Sequence, residues 1–172
     1  MRQYMVYILI LALALRLVFI GQSLWLDEAI QALALMGRQG PLLSYALSDF
    51  QPPLYHFLLK GWTTVFGYSE LALRTPSLLA GVALVYFVYK LGELIHSRRA
   101  GLIAALIAAT NPLLIYYSQE GRTYMLTTLF VTMSFYFLLK RSPLAYLLTT
   151  LLAIWSSYLA CLIVPLQLIY LM

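Results

Sequence analysis

The stretch Tyr4-Met5-Val6-Tyr7-Ile8-Leu9-Ile10-Leu11-Ala12-Leu13-Ala14-Leu15-Arg16-Leu17-Val18-Phe19-Ile20 contains a single charged residue, Arg16. A helix crosses a hydrocarbon core of roughly 30 Å with about 20 predominantly apolar residues, so this stretch reads as a first membrane span. Arg2 precedes it, and no small-x-small cleavage site follows in Gly21-Gln22-Ser23-Leu24-Trp25. It therefore reads as an uncleaved signal anchor rather than a removable leader. Arg16 falls near its outer end, where it would snorkel to the interface or pair with an acid beyond the span.

The rest of the chain has the same character. Of its 172 residues, 63% are apolar and only 10% are charged, against roughly a quarter charged in an average soluble domain. A chain this short cannot hide so much apolar surface inside itself; lipid removes the need. The expected class is an all-α polytopic membrane protein. The formal net charge of +5 does not indicate nucleic acid, because the basic residues are sparse and sit at helix ends, where topology and lipid phosphate account for them. The lone Cys161 excludes a disulfide framework and argues against a Cys/His metal cluster. A transporter would carry functional ionisable groups inside its spans, and Arg16 is the only clear case.

Hydropathy predicts five or six spans, at about 4–21, 71–95, 101–117, 123–139, 144–157 and 158–172, in a single transmembrane module covering 1–172. The last two are either one tilted helix or two short ones meeting near Ser156-Ser157-Tyr158. Asn111-Pro112 should kink the third span. Residues 22–70 differ: they hold Asp27, Glu28, Asp49 and Glu70 together with Pro41, Pro52 and Pro53. Their apolar stretches at 29–36, 41–47 and 53–66 are too short to cross comfortably and read as two or three juxtamembrane helices in a long first outer loop. Arg2, Lys90, Arg98, Arg99, Lys140 and Arg141 all fall on one side if spans one to four alternate. By the positive-inside rule that side is cytoplasmic. The N-terminus is then cytoplasmic, and the 22–70 loop and Ser118-Gln119-Glu120-Gly121-Arg122 lie on the extracytoplasmic face of the plasma (inner) membrane.

The candidate chemistry gathers on that outer face. Asp27-Glu28 is either an acidic helix N-terminus or a carboxylate general base pressed against the bilayer by Trp25 and Leu26. Glu120 and Arg122 are either a local ion pair in a hairpin loop or a substrate site. In the second reading Arg122 binds phosphate through its planar fork and Glu120 orients a hydroxyl or ligates a divalent cation. Arg74 opens the second span on the outer side, against the charge bias; it pairs with Glu70 four residues earlier or binds an anion. Lys60 would snorkel or meet a lipid phosphate. His56 is a packed histidine, a base or a ligand. Tyr55, beside Pro52-Pro53, would line a sugar site.

Five stretches in order carry a family resemblance: Trp25-Leu26-Asp27-Glu28-Ala29, Gln51-Pro52-Pro53-Leu54-Tyr55, Leu73-Arg74-Thr75-Pro76-Ser77, Arg98-Arg99-Ala100-Gly101 and Tyr117-Ser118-Gln119-Glu120-Gly121-Arg122-Thr123-Tyr124. Together they resemble the N-terminal module of a GT-C fold glycosyltransferase of the protein O-mannosyltransferase and aminoarabinose-transferase group. The resemblance implies inverting transfer of a sugar from a polyprenyl-phosphate donor to a lipid, glycan or protein acceptor on the outer face. It implies that Asp27 is the base, that Glu28 assists or orients, and that Glu120 belongs to a second acidic motif. Arg122, with Lys60 and Arg74, would hold the leaving phosphate. No metal site is expected, although a divalent cation at Glu120 stays open. Members of the group are longer, so the chain would be a fragment, half of a split enzyme, or a non-catalytic subunit of GT-C ancestry within a larger membrane complex.

Overall fold

The computed structural model describes residues 2–171, and every regular element among them is helical. The order is α1 (Arg2–Leu17), α2 (Leu26–Leu35), α3 (Leu42–Ser48), α4 (Leu54–Phe66), α5 (Glu70–Ile95), α6 (Arg98–Thr110), α7 (Pro112–Ser118), α8 (Tyr124–Leu139), α9 (Pro143–Ser156), a 3₁₀ turn at Tyr158–Leu162, and α10 (Ile163–Leu171).

The α5 helix is the axis of the molecule. Ser69 caps it by accepting a hydrogen bond from the Ala72 N–H at 3.2 Å, which satisfies one of the donors orphaned at a helix start. Its 26 residues make it about 39 Å long at 1.5 Å per residue. Among the described residues it is the one helix long and apolar enough to cross a bilayer unaided. The α6 helix returns along it. Gly92 and Gly101 let the two backbones meet: a Cβ on Gly92 would lie 2.8 Å from the Gly101 Cα. Small residues serve this purpose in lipid, where close backbone approach replaces the hydrophobic effect. One cluster joins Ala32 and Leu35 of α2, Tyr55 and Leu59 of α4, Leu73, Ala80 and Leu84 of α5, and Met125, Leu126 and Leu129 of α8. A second joins Met5 and Ala12 of α1 to Val85 and to Ala105, Ala108 and Ala109 of α6. Large apolar side chains such as Ile10, Ile103, Ile107, Leu148 and Trp155 face outward, a surface that a water-soluble monomer would cover.

The outer segment folds into three short helices near the expected stretches, namely α2, α3 and α4. The kink at Asn111-Pro112 is also present: α6 and α7 meet at 61°, and only together are they long and apolar enough to cross a membrane. Asn111 Oδ1 accepts from the Leu114 N–H and Pro112 takes the first helical position, where its missing N–H costs little. Residues 144–171 divide at Ser157 into α9 and the 3₁₀–α10 segment. Two expectations at the N-terminus are corrected. The first helix ends at Leu17 instead of Ile20. Beyond it the chain turns, so that the Ile20 and Gln22 carbonyls can accept hydrogen bonds from Arg74.

The second correction concerns Arg16, which neither snorkels nor meets an acid. It is fully buried. Its guanidinium donates to the Ala12 carbonyl of its own helix, to the Ala109 and Ala108 carbonyls at 3.1 and 3.4 Å, and to Ser118 Oγ at 3.0 Å. Ala108 is the residue whose carbonyl would accept from position 112 in an unbroken helix, and Pro112 has no N–H to give. Arg16 supplies the donors that the proline break removes, as polar groups inside a membrane protein must. Gly81 leaves room for it, since a Cβ there would collide with Ser118 Oγ and reach within 2.9 Å of Arg16 Nε. Arg16→Met is therefore expected to destabilise the protein by about 2–4 kcal/mol, because it leaves two buried carbonyls unpaired. Gly81→Ala should reproduce part of that loss by steric displacement. Thermal unfolding in detergent measures both.

Candidate functional site

The two adjacent carboxylates at the start of α2 have opposite environments. Glu28 is 2% exposed, and both of its oxygens are engaged. Oε1 accepts from Arg74 Nε at 2.9 Å and from the Gly121 N–H at 2.6 Å; Oε2 accepts from Arg74 Nη2 at 2.6 Å and from the Trp25 N–H at 3.1 Å. Burial by itself would raise the Glu28 carboxyl. The hydrogen bonds from Arg74, Gly121 and Trp25, together with the Arg74 charge, outweigh it and hold the group below the ordinary carboxylate range. The Trp25 bond is also half of a capping box, in which an N3 glutamate reaches back to the N-cap N–H. Glu28 thus has no lone pair free for a substrate. It binds the outer segment to α5 and to the 118–123 loop.

Arg74 is committed to the same task. Besides Glu28, its Nη1 donates to the Ile20 and Gln22 carbonyls at 2.9 and 2.6 Å, and its Nη2 to the Ser23 carbonyl at 3.1 Å. A guanidinium has five N–H donors, and all five are used. The expectation that Arg74 binds phosphate is corrected on this ground, and its alternative partner Glu70 is not the one it takes.

Asp27 projects outward with its side chain 61% exposed, and its Oδ2 lies 2.8 Å from Arg122 Nη1. The Arg122 guanidinium is centred 5.6 Å from the Tyr124 ring and partners Asp27 rather than Glu120. Its backbone is fixed from behind: the Tyr55 hydroxyl and Ser77 Oγ are 2.9 Å apart, and Ser77 Oγ donates to the Arg122 carbonyl at 3.1 Å. Tyr55 is therefore buried and supports Arg122 from beneath, and its hydroxyl does not line an open sugar site.

Glu120 is half-buried and makes no ion pair among the described residues. Burial pushes its carboxyl above the ordinary range; Arg122 opposes that, while the Glu28 and Asp27 charges add to it. It faces a recess of ≈ 50 Å³ walled by Phe19, Gln22, Trp25, Arg74, Tyr116 and Gln119. A carboxylate whose folded pKa is raised costs stability wherever it is ionised. Glu120→Gln is therefore expected to raise the unfolding midpoint at pH 7, with the gain vanishing below the ordinary glutamate pKa. A stability–pH series in detergent measures it.

Lys60 and His56 are placed differently from expectation. Lys60 Nζ donates to the Leu35 carbonyl and to the Tyr68 hydroxyl, closing the C-terminus of α2 as a cation does well. His56 is buried, with Nε2 3.0 Å from Asp49 Oδ2 and its ring edge-on to Tyr45. Burial pulls its pKa down, and Asp49 partly restores it. Among the described residues, no three of His, Cys, Asp and Glu stand together as a metal-binding group.

Residues 50–172 match the model of a protein family described as dolichyl-phosphate-mannose-protein mannosyltransferase. The match spans more than two-thirds of the chain. The chain belongs to this family. The family is one of membrane glycosyltransferases of the GT-C type, in accord with the resemblance carried by the five sequence stretches. No curated protein and no solved structure matches the chain. The family segment contains Tyr55, His56, Lys60, Arg74, Glu120 and Arg122, whereas Asp27 and Glu28 precede it. Two ion pairs close that gap in space, Glu28 to Arg74 and Asp27 to Arg122. Gln31 and Thr123 join the same region and were not singled out in the sequence. The available signal was that Gln31 lies four residues after Asp27, one helical turn along the same face.

Proposed function

We propose that this chain transfers a sugar from a polyprenyl-phosphate-linked donor to an acceptor hydroxyl on the outer face of the membrane, inverting the anomeric centre, with Asp27 as base. The observation that carries this reading is the unequal treatment of two neighbouring carboxylates. Glu28 is consumed by four hydrogen bonds, and Asp27 stands exposed at 2.8 Å from a half-buried arginine. That pairing puts a proton acceptor beside a cation suited to phosphate. In the step, Asp27 takes the acceptor O–H proton as the oxygen forms its bond to the sugar C1. The C1–O bond to phosphate breaks, and the polyprenyl phosphate leaves with its charge stabilised by Arg122. A phosphate leaving group needs no general acid, so one carboxylate suffices. The donor sugar is a hexose or pentose, with mannose suggested by the family's description.

The module spans the membrane five to six times in this reading, with the N-terminus cytoplasmic and the site extracytoplasmic. The charge layout supports it. Asp27, Glu28, Glu120 and Arg122 gather at the Glu70 end of α5, whereas Lys90 and Arg98 meet Glu93 at the other end. Phe87 of α5 packs on Tyr136 and Phe137 of α8, so Lys140 and Arg141 share that second end. The chain in lipid nanodiscs, given polyprenyl-phosphate mannose carrying a radiolabel, is expected to yield a mannosylated acceptor of opposite anomeric configuration. A folded chain that binds this donor and transfers nothing would overturn the reading.

A further inference from the structure

Behind the Asp27–Arg122 pair lies a small cavity lined by Gln31, Asp49, Gln51, Tyr55, His56, Arg122 and Thr123. Its volume is about 10 Å³, room for one oxygen atom and not for a ring. Three of its lining side chains carry buried polar atoms without a hydrogen-bond partner: Gln31 Nε2, Gln51 Oε1 and His56 Nδ1. Gln31 and His56 are each 4% exposed. Unpaired polar atoms at such depth are costly, about 1–3 kcal/mol each, and three converging on one cavity define a site for an oxygen. Gln31 Nε2 offers a donor and Gln51 Oε1 an acceptor, so the guest must both accept and donate. A hydroxyl does both for the two glutamines; His56 Nδ1, an acceptor when the Nε2–H faces Asp49, would need a second donor. A carbonyl or a phosphate oxygen would leave Gln51 unpaired.

We propose that this cavity receives one hydroxyl of the transferred sugar, with Gln31 as donor to it and Gln51 as acceptor from it. Arg122 borders the cavity and also meets Asp27. A sugar whose phosphate sits on Arg122 can therefore place a ring hydroxyl in the cavity while its C1 faces Asp27. The inference rests on the reading of the site given above. It adds the residues that distinguish a sugar-bearing carrier from the bare one, and hence one sugar epimer from another. A resident water has the same chemistry, and the experiment separates the two.

Affinities for polyprenyl-phosphate mannose and for bare polyprenyl phosphate are measured on the full chain in detergent, which requires no turnover. The wild type is expected to prefer the mannosylated lipid by about 10-fold, the scale set by a buried hydroxyl with matched partners. Gln31→Leu should abolish that preference and leave the bare lipid bound as before. Gln31→Met, of similar length but without the donor, should do likewise if the leucine variant does not fold. A preference that survives both substitutions, or a wild type with no preference, overturns the inference: the cavity then holds water only, and the Asp27 reading stands. A wild type that binds neither lipid sinks both.

Discussion

Arg74→Ala is expected to leave the protein without a folded outer segment. The substitution strands the Glu28 carboxylate, which is 2% exposed, and orphans the carbonyls of Ile20, Gln22 and Ser23 that turn the chain away from α1. Removing one partner of a buried ion pair costs about 3–5 kcal/mol, set against a total stability of about 5–15 kcal/mol for a typical domain. The loss should show as a lowered unfolding midpoint in detergent and as rapid proteolysis within residues 22–70. Arg74→Lys should be nearly as damaging, because an ammonium has three donors on one atom and cannot reproduce five bonds from a planar fork. The pair also fixes the sign of a pH effect. The folded pKa of Glu28 lies below the ordinary value of 4.5, so its contribution is fully present above that value and is lost as pH falls through the folded pKa. Glu120 is shifted the other way, so its relief comes earlier in the descent, between its raised pKa and the ordinary value. The acid loss due to Glu28 should therefore be clearest in a Glu120→Gln background, and it should disappear when Glu28→Gln is added. An Arg74→Ala protein with wild-type midpoint and protease resistance would refute the assignment.

The contrast between these residues explains what the sequence disclosed and what it withheld. Local chemistry was legible. The short outer helices follow from Pro41, from Pro52-Pro53 and from the acidic start of α2, and the 61° bend follows from Asn111-Pro112. The all-helical class follows from the apolar runs, because each is long enough to close its own backbone hydrogen bonds. Partnerships were not legible, because a charged residue has many candidate partners and a sequence shows only the near ones. Arg74 has Glu70 four residues away and takes Glu28, 46 residues away. Arg122 has Glu120 two residues away and takes Asp27. Arg16 takes the backbone of a helix more than ninety residues on, since the donor deficit it fills is created there by Pro112. For Arg16 and Arg74 burial decides, since each takes buried groups that would otherwise be left unsatisfied, whereas Arg122 takes the exposed Asp27 and leaves the half-buried Glu120 without an ion pair. The same rule sorts the candidate site. Arg74 has all five donors taken, Lys60 has two of its three in use and Tyr55 is held by Ser77, whereas Asp27, Glu120 and Arg122 keep capacity to spare.

Asp27→Asn is expected to reduce sugar transfer by about 10²–10⁴-fold, the range for removing a positioned general base, while the fold is retained. The structure separates the two effects. Asp27 is 61% exposed and its ion pair with Arg122 lies at the surface, so the pair contributes little to stability. The charge also sits in the first turn of α2, where an acid stabilises a helix by about 0.3–1 kcal/mol. A loss of that size leaves the folded population intact. The asparagine amide keeps an oxygen for Arg122 and preserves its position, but it cannot accept the hydroxyl proton. The defect should therefore fall on kcat, with the donor KM nearly unchanged. Arg122→Gln should show the complementary pattern, raising the donor KM and lowering kcat together, because it removes both phosphate binding and stabilisation of the leaving group. The neighbouring Glu28→Gln should behave as neither. It should lower the amount of folded protein, and whatever folds should transfer at a rate close to wild type, because its carboxylate touches only Arg74, Gly121 and Trp25. If Asp27→Asn transfers as fast as the wild type, Asp27 is not the base. If Glu28→Gln loses turnover without losing stability, the roles of the two carboxylates are reversed.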